Sequence, residues 1–150
     1  MRISTAGRYG LRVMLDLALH ADQGPALRHE IGRRQEISPE YIAQLFRLLA
    51  RAGLAKSVMG PGGGYLLGRL PEQIRIGDIL RAVEGPIAPV YCVLPEGQAS
   101  CNRVSFCATH VLWVYFGRAI ENFLDSMTLA DLCQVARQLD EWGEVSCQEA

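Results

Sequence analysis

A helix with clear start and stop signals, followed at once by a run of glycines, constrains the fold more than any other feature. Residues 38–68 read SPEYIAQLFRLLARAGLAKSVMGPGGGYLLG. Ser38 is a favourable N-cap, Pro39 suits the first helical position and Glu40 favours the positive end of the helix dipole. Gly53 can end the helix, so the sequence predicts one helix between Ser38 and Gly53.

Two short strands are expected directly after this helix. Leu54, Lys56 and Val58 alternate in the first strand, and residues 65–67 form the second. The glycines at 62–64 supply the positive φ angles that a tight connection needs. No Lys-Ser or Lys-Thr follows these glycines and no helix opens after them, so the sequence lacks both nucleotide-binding fingerprints.

Two more helices are predicted before Ser38. Residues 3–20 carry apolar side chains at helical spacing and are followed by the turn residues ADQGP. LRHEIGRRQ fits a short second helix, with Leu27 and Ile31 facing inward. A short helix, a tight turn, a capped helix and a hairpin together predict a winged helix-turn-helix.

The capped helix has two faces, and the polar one is a candidate for the major groove of DNA. Its buried side is expected to contain Tyr41, Ile42, Leu45, Leu48 and Leu49, and its other side Glu40, Ala43, Gln44, Arg47 and Arg51. Glutamine can pair with adenine, and arginine with guanine or phosphate. An ordinary solvated face is the alternative, and the hairpin that follows favours DNA. The predicted DNA-contacting residues are Arg2, Ser38, Glu40, Tyr41, Gln44, Arg47, Arg51, Ser57, Gly62 and Gly63.

Charge is distributed unevenly along the chain. The net charge of −1 does not by itself indicate a nucleic-acid partner, but residues 1–85 carry +4 and residues 86–150 carry −5. The N-terminal half is therefore the candidate DNA-binding part. The sequence has no nucleophile motif, no paired acid and base and no nucleotide loop, so we do not expect an enzyme.

Three cysteines and a histidine lie close together in YCVLPEGQASCNRVSFCATH, residues 91–110. Cys107 and His110 are three apart, so a helix that begins near Cys107 would place both on one face. Cys92 and Cys101 lie in a loop that can fold over them. Unligated thiols need no particular spacing, structural zinc usually has two close ligand pairs, and an iron–sulfur cluster tolerates longer loops. The spacing alone leaves zinc and a cluster about even.

The remaining cysteines and histidines show no such grouping. Cys133 is expected in the core, Cys147 in the tail, and His20 and His29 at the surface. No apolar run approaches the roughly 18 residues that a membrane span needs, so we expect a cytoplasmic protein. In a reducing compartment five cysteines, an odd count, are poor indicators of disulfides.

A long helix is predicted after the grouped cysteines. Residues 107–127 carry apolar side chains at 112, 116, 119, 120, 123 and 127. Such a stripe is usually partly core, and it is also typical of a helix that packs against its twin in a homodimer. Thr128 can cap a second, short helix in LADLCQVARQL, and the acidic tail from Asp140 onward is expected to fray.

Four segments resemble a known family. GRYGLRVMLDLAL, ISPEYIAQLFRLL, AGLAKSVMGPGGGYLLGR and IGDILRAVEGPI are similar to the IscR-type iron–sulfur cluster regulators, which are winged-helix transcriptional repressors. The resemblance covers residues 1–132. With the patterns above, it implies a mainly α fold with a small β-hairpin wing and a long dimerisation helix. The implied parts are a DNA-binding domain (1–85), a cluster-binding loop (86–110), and a dimerisation helix with a C-terminal tail (111–150).

The resemblance also implies a cofactor and partners. Cys92, Cys101, Cys107 and His110 match the positions that hold a 2Fe-2S cluster in IscR-like members, with a 4Fe-4S cluster or zinc as alternatives. Some relatives use a carboxylate near the N-terminus as a ligand, but this region carries Arg8 here. The implied protein is a homodimer on a double-stranded operator, with an iron–sulfur assembly scaffold as cluster donor.

The implied function is control of iron–sulfur assembly or related genes in response to cluster status. A nitric-oxide- or redox-sensing repressor of the same family and a zinc-stabilised repressor without a cluster are the alternatives. Two positions depart from the family pattern, since Ala43 replaces Glu and Met59 replaces Arg. Each change removes a charged side chain from the expected DNA face, so the family's operator sequence is not carried over to this chain.

Overall fold

The computed structural model describes the backbone of residues 2–148 and the side chains of residues 2–140. This part of the chain contains seven α-helices and one β-hairpin. In chain order they are α1 (Thr5–Leu19), α2 (Arg28–Gln35), α3 (Pro39–Arg51), β1 (Ala55–Val58), β2 (Gly64–Leu67), α4 (Ile76–Glu84), α5 (Pro95–Ser100), α6 (Ala108–Ser126) and α7 (Leu129–Gln148). The predicted mainly α fold with a hairpin wing is confirmed. None of the helices described is long and apolar enough to cross a membrane.

Side-chain caps explain where α1 and α3 begin. The Ser4 hydroxyl accepts a hydrogen bond from the Gly7 N–H at 3.2 Å, and the Ser38 hydroxyl accepts one from the Tyr41 N–H at 3.3 Å. The predicted α3 is therefore confirmed with its cap. Leu27 was expected to face inward, but it is 39% exposed. It precedes α2 with an extended backbone, ψ 143°, and so does not share a helical face with Ile31.

The core lies where α1, α2, α3 and α4 meet. Its fully buried members include Met14, Ile31, Ile42, Leu45, Phe46, Leu49, Leu54 and Ile79. Phe46 was not in the predicted buried set, whereas Tyr41 and Leu48, which were, are only half-buried. Phe46 lies four residues after Ile42 and three before Leu49, so it belongs to the same helical face.

The hairpin is held against α3 and against the turn before α2. β1 and β2 pair antiparallel, with Ser57 opposite Tyr65. Tyr65 also exchanges two backbone hydrogen bonds with Ala26, at 2.8 and 3.0 Å. Its ring stacks on Phe46 with centroids 4.0 Å apart and planes 11° apart. The wing is therefore attached to the helix that precedes it by an aromatic contact as well as by the chain.

The turn of the wing uses its glycines differently from the prediction. Gly60 and Gly62 have φ of 86° and 73°, whereas Gly63 is not among the positive-φ residues. Gly63 is buried, and its N–H donates to the carbonyl of Gly60 at 3.0 Å. A Cβ at Gly63 would collide with the Val58 carbonyl, so this glycine is required for close backbone approach.

One buried carboxylate connects α1 to α2. Asp16 is 2% exposed and accepts two hydrogen bonds from Arg34 Nε and one from Arg34 Nη2, the shortest at 2.7 Å. Gln35 Nε2 donates to the same carboxylate at 2.9 Å. The hydrogen bond to Asp16 is the main reason that the pKa of Arg34 is raised. His20, expected at the surface, is half-buried, with Nδ1 2.8 Å from the Asp16 carbonyl oxygen.

The C-terminal helix is longer than predicted. Thr128 and Asp131 form the expected cap, in which the Asp131 carboxylate accepts from the Thr128 N–H at 2.8 Å. Hydrogen bonds from the Thr128 N–H and from the Thr128 hydroxyl hold the pKa of Asp131 below its usual value. α7 continues to Gln148, past the predicted end of the helix at Leu139, and the expected fraying of the tail stays a prediction. Gly143 is the only helix-breaking residue in this stretch, and one glycine costs a helix only about 1 kcal/mol.

The two cysteines outside the grouped set have different outcomes. Cys133 is 5% exposed, as expected for a core residue, and burial raises the pKa of its thiol. The side chain of Cys147 lies outside the described residues.

Replacing Asp16 with Asn tests the connection between α1 and α2. Asp16→Asn removes the charge that accepts from Arg34 and Gln35, and hydrogen bonds to charged groups contribute about 1.5–3 kcal/mol each. We expect the free energy of unfolding, measured by urea denaturation, to fall by about 2 kcal/mol. Asp22→Asn, at an exposed position of the following turn, is the control and should change it by less than about 0.5 kcal/mol. Equal effects of the two substitutions would mean that the Asp16 contacts do not stabilise the fold.

Candidate DNA interface and ligand loop

The solvent side of α3 presents the predicted polar stripe. Glu40, Gln44, Arg47 and Arg51 are exposed, and they follow one another at helical spacing. Ala43 is half-buried beside them. These side chains make no hydrogen bond or ion pair with any of the described residues, so their polar ends are free for an external partner. Glutamine and arginine on one exposed helical face suit base and phosphate contacts.

Two of the predicted contact residues also hold the start of α3. The Ser38 hydroxyl is occupied as the N-cap, although the residue is exposed. Tyr41 is half-buried and packs edge-to-face on Tyr9, with ring centroids 5.9 Å apart. The guanidinium of Arg12 lies 5.4 Å from the Tyr9 ring centroid, and its Nη2 donates to the Gln35 carbonyl. This chain of contacts fixes the N-terminal end of the polar stripe.

The wing offers a second exposed surface. Ser57 and Gly62 are exposed, and Met59 near the tip is 89% exposed. Gly63 is buried and contributes to the shape of the wing rather than to its surface. Arg2 is exposed ahead of α1.

Sequence reasoning missed several basic residues on the same domain. Lys56 is exposed on β1, and Arg28 and Arg33 are exposed on α2. Their residue type was the available signal, because phosphate contacts need only positive charge within reach of the backbone.

The segment with the grouped cysteines is more ordered than a simple loop. Cys92 lies in a 3₁₀ turn at Tyr91–Val93, Cys101 follows α5, and Cys107 is the N-cap residue of α6. α5 was not predicted. It begins at Pro95, directly after the extended residue Leu94, and proline is well suited to the first turn of a helix. Gly97 is buried and leaves no room for a Cβ against Tyr91, so α5 packs tightly on the turn that holds Cys92.

The helix expected to start at Cys107 is confirmed. His110 lies in its first turn, and its N–H donates to the Cys107 carbonyl at 3.1 Å. Cys92, Cys101 and Cys107 are free and half-buried. Within the described part of the chain, no three His, Cys, Asp or Glu side chains are grouped closely enough to hold a metal ion. The structure thus places two of the four predicted ligands together and the other two elsewhere in the same segment.

Two features of this pair suit a metal ligand. Hydrogen bonds from the Thr109 hydroxyl and from the His110 N–H lower the pKa of Cys107, which favours the thiolate that binds metals. The Nδ1 atom of His110 is buried and has no hydrogen-bond partner among the described residues. Buried imidazole nitrogens are normally satisfied, and a metal ion is one of the groups that can satisfy them.

The long helix α6 exposes most of its apolar stripe. Leu112 and Phe123 are 57% and 63% exposed, Phe116 is exposed as well, and Gly117 is the buried residue of the helix. Large apolar side chains grouped in this way are typical of surfaces that bind another molecule.

The sequence matches the Rrf2 family, described as "Iron-dependent Transcriptional regulator", over residues 3–135. The chain belongs to the Rrf2 family. It is a DNA-binding winged-helix transcriptional regulator, like the other members to which it is similar. The IscR-type resemblance seen in the sequence is confirmed.

Three relatives place this Rrf2 protein within its family. The HTH-type transcriptional regulator IscR of Sodalis glossinidius (strain morsitans) is 43% identical over 140 residues, 93% of this chain and 83% of that protein. The structure of CymR (YrzC), the global cysteine regulator of B. subtilis, has a TM-score of 0.73 and 41% identity, covering 90% of this chain and 98% of CymR. IscR of T. potens has a TM-score of 0.73 and 39% identity, covering 91% and 88%.

Gln44 is the best residue with which to test base readout by this Rrf2 protein. We expect Gln44→Ala to weaken binding to a selected operator by about 1–3 kcal/mol while leaving binding to random DNA nearly unchanged, because a base contact carries sequence information and a phosphate contact does not. Fluorescence anisotropy with both duplexes at one salt concentration measures the difference. Gln73→Ala, at an exposed position in the turn before α4, is the control. An equal loss on both duplexes would mean that Gln44 does not read bases.

Proposed function

We propose that this Rrf2 regulator is a homodimer that senses iron–sulfur cluster status through a 2Fe-2S cluster and controls iron–sulfur assembly or related genes. The observation that carries the proposal is the buried Nδ1 of His110, which has no partner among the described residues and lies one helical turn from a cysteine whose pKa is lowered. A donor set of three thiolates and one imidazole suits iron–sulfur ligation.

Cys92, Cys101, Cys107 and His110 would hold the cluster. A 2Fe-2S cluster supplies a centre that accepts an electron and that is sensitive to oxidation, nitric oxide and iron supply. A histidine ligand is exchanged or protonated more readily than a fourth thiolate, and this makes the site responsive to cluster supply. An iron–sulfur assembly scaffold is the proposed donor.

Residues 87–109, which contain the three predicted cysteine ligands and are called the ligand segment here, contact α6. Pro89 packs on Gly117, and Val93 lies beside it. Residues of the segment and of α6 together line a groove that includes Ile87, Leu94, Val114 and Arg118. A change in the order of residues 87–109 therefore alters the surface on which α6 rests, and α6 in turn contacts the DNA-binding domain through α4.

The exposed stripe of α6 is the proposed dimer interface. Leu112, Phe116 and Phe123 would be covered by the same helix of a second chain. A symmetric dimer places two copies of α3 on the two halves of a pseudo-palindromic operator.

A thiol-based regulator without a cluster is the second candidate. The lowered pKa of Cys107 favours a reactive thiolate, and the similar protein CymR is named as a cysteine regulator. A nitric-oxide-sensing repressor would share the cluster, whereas a zinc-stabilised repressor would hold the same ligands around a metal that has no redox chemistry. Metal and sulfide content separate these candidates.

The proposal predicts the cofactor content of anaerobically purified protein. We expect iron and acid-labile sulfide at about two of each per chain, with visible absorption, because that is the composition of a 2Fe-2S cluster. Cys92→Ala should lose both, while Cys133→Ala, which changes a buried thiol outside the ligand segment, should retain them. Stoichiometric zinc without sulfide would contradict the proposal and favour a structural metal. Protein with neither metal nor sulfide would favour the thiol-based regulator.

A further inference from the structure

Helix α4 is a fixed part of the DNA-binding domain. Ile79 is fully buried in the core that also contains Leu49 of α3 and Val13 of α1. At the other end of α4, the Glu84 carboxylate accepts hydrogen bonds from the N–H and the hydroxyl of Ser4, both at 2.7 Å. Since α4 contacts both α1 and α3, a shift of α4 moves α3 with it.

α4 is also attached to α6 by a half-buried ion pair. Nη2 of Arg81 lies 2.5 Å from Oδ1 of Asp125 and 3.1 Å from Oδ1 of Asp78. The hydrogen bond to Asp125 is the largest cause of the raised pKa of Arg81. Asp78 and Arg81 belong to the same helix, so the contact with Asp125 is the one that joins the two elements.

Two backbone features hold the end of α6 close to the start of α4, and this contact region is called the junction. The Ile76 N–H donates to the Met127 carbonyl at 3.0 Å, and the Leu129 N–H donates to the Ile74 carbonyl at 2.8 Å. Gly77 is buried against the Asp125 carboxylate, and a Cβ there would collide with it. The end of α6 is thus fixed to the start of α4 by a two-bond bridge and a charged contact, with a glycine that permits the approach.

We infer that the contact between Arg81 and Asp125 sets the separation of the two recognition helices and thereby the half-site spacing that the protein selects in its operator. The inference rests on the homodimer of the proposed function, in which α6 of each chain meets its twin. One path from that interface to α3 then runs through α6, the junction and α4. Each inserted base pair moves the second half-site by about 3.4 Å and about a tenth of a turn, so a well-fixed junction discriminates between spacings.

The test is a spacing profile measured with and without the ion pair. The wild-type protein first selects a palindromic duplex from a randomised pool, and duplexes with one base pair inserted or deleted at its centre are then made. Operator affinity is measured for the wild type and for Asp125→Asn, with Arg81→Gln as a second variant that breaks the same pair. Glu121→Gln is the matched control, because it makes the same change one turn earlier on α6, where the carboxylate has no ion pair with any described residue. Thermal unfolding and light scattering check fold and dimer in every sample.

For the wild type, we expect operator affinity to be highest at one half-site spacing and to fall sharply at the others. For the variants, we expect affinity to depend less on the spacing. For the wild type and Glu121→Gln, one inserted base pair should lower affinity by about tenfold or more, and for Asp125→Asn and Arg81→Gln by less than about threefold. A folded, dimeric Asp125→Asn or Arg81→Gln protein with the wild-type profile would overturn the inference and leave the homodimer standing. A wild type that is monomeric, or that selects no palindrome, would overturn both.

Discussion

Burial of one face of α3 is the constraint on which the DNA-binding domain depends. Ile42, Leu45, Phe46 and Leu49 are all removed from solvent, and this fixes which side of the helix remains for DNA. The same burial positions the wing, since Phe46 provides the surface on which Tyr65 stacks. Because the core also includes Ile79 of α4, one packed face orients the polar stripe, the wing and the element that leads to α6.

The DNA-binding half was predictable from sequence because its signals are local. Ser38 and Pro39 mark a helix start in any context, and glycines mark a tight hairpin. Leu27 shows the limit of such reasoning, because its burial depends on where the helix begins and on which neighbours cover it. The use of Gly63 for close backbone approach rather than for positive φ likewise follows from the fold around it.

The ligand segment was less predictable for a related reason. The spacing of Cys107 and His110 could be read as one helical turn, since Cys107 is the N-cap residue of α6 and His110 lies in its first turn. The positions of Cys92 and Cys101 depend on α5 and on its tight packing against the preceding turn, which residue spacing does not encode. The exposed stripe of α6 was visible in the sequence, but the ion pair of Asp125 with Arg81 joins residues 44 apart along the chain, and no local pattern indicates it.

For a cluster to regulate this protein, the ligand segment and the DNA face must be energetically coupled. The most direct test compares operator affinity and footprint for cluster-loaded protein and for Cys107→Ala, on one duplex at one salt concentration. A coupling of about 1.4 kcal/mol corresponds to a tenfold difference in affinity, and we expect a difference of about that size. Identical affinity and an identical footprint for the two proteins would contradict the account, because the ligand segment would then have no influence on DNA binding.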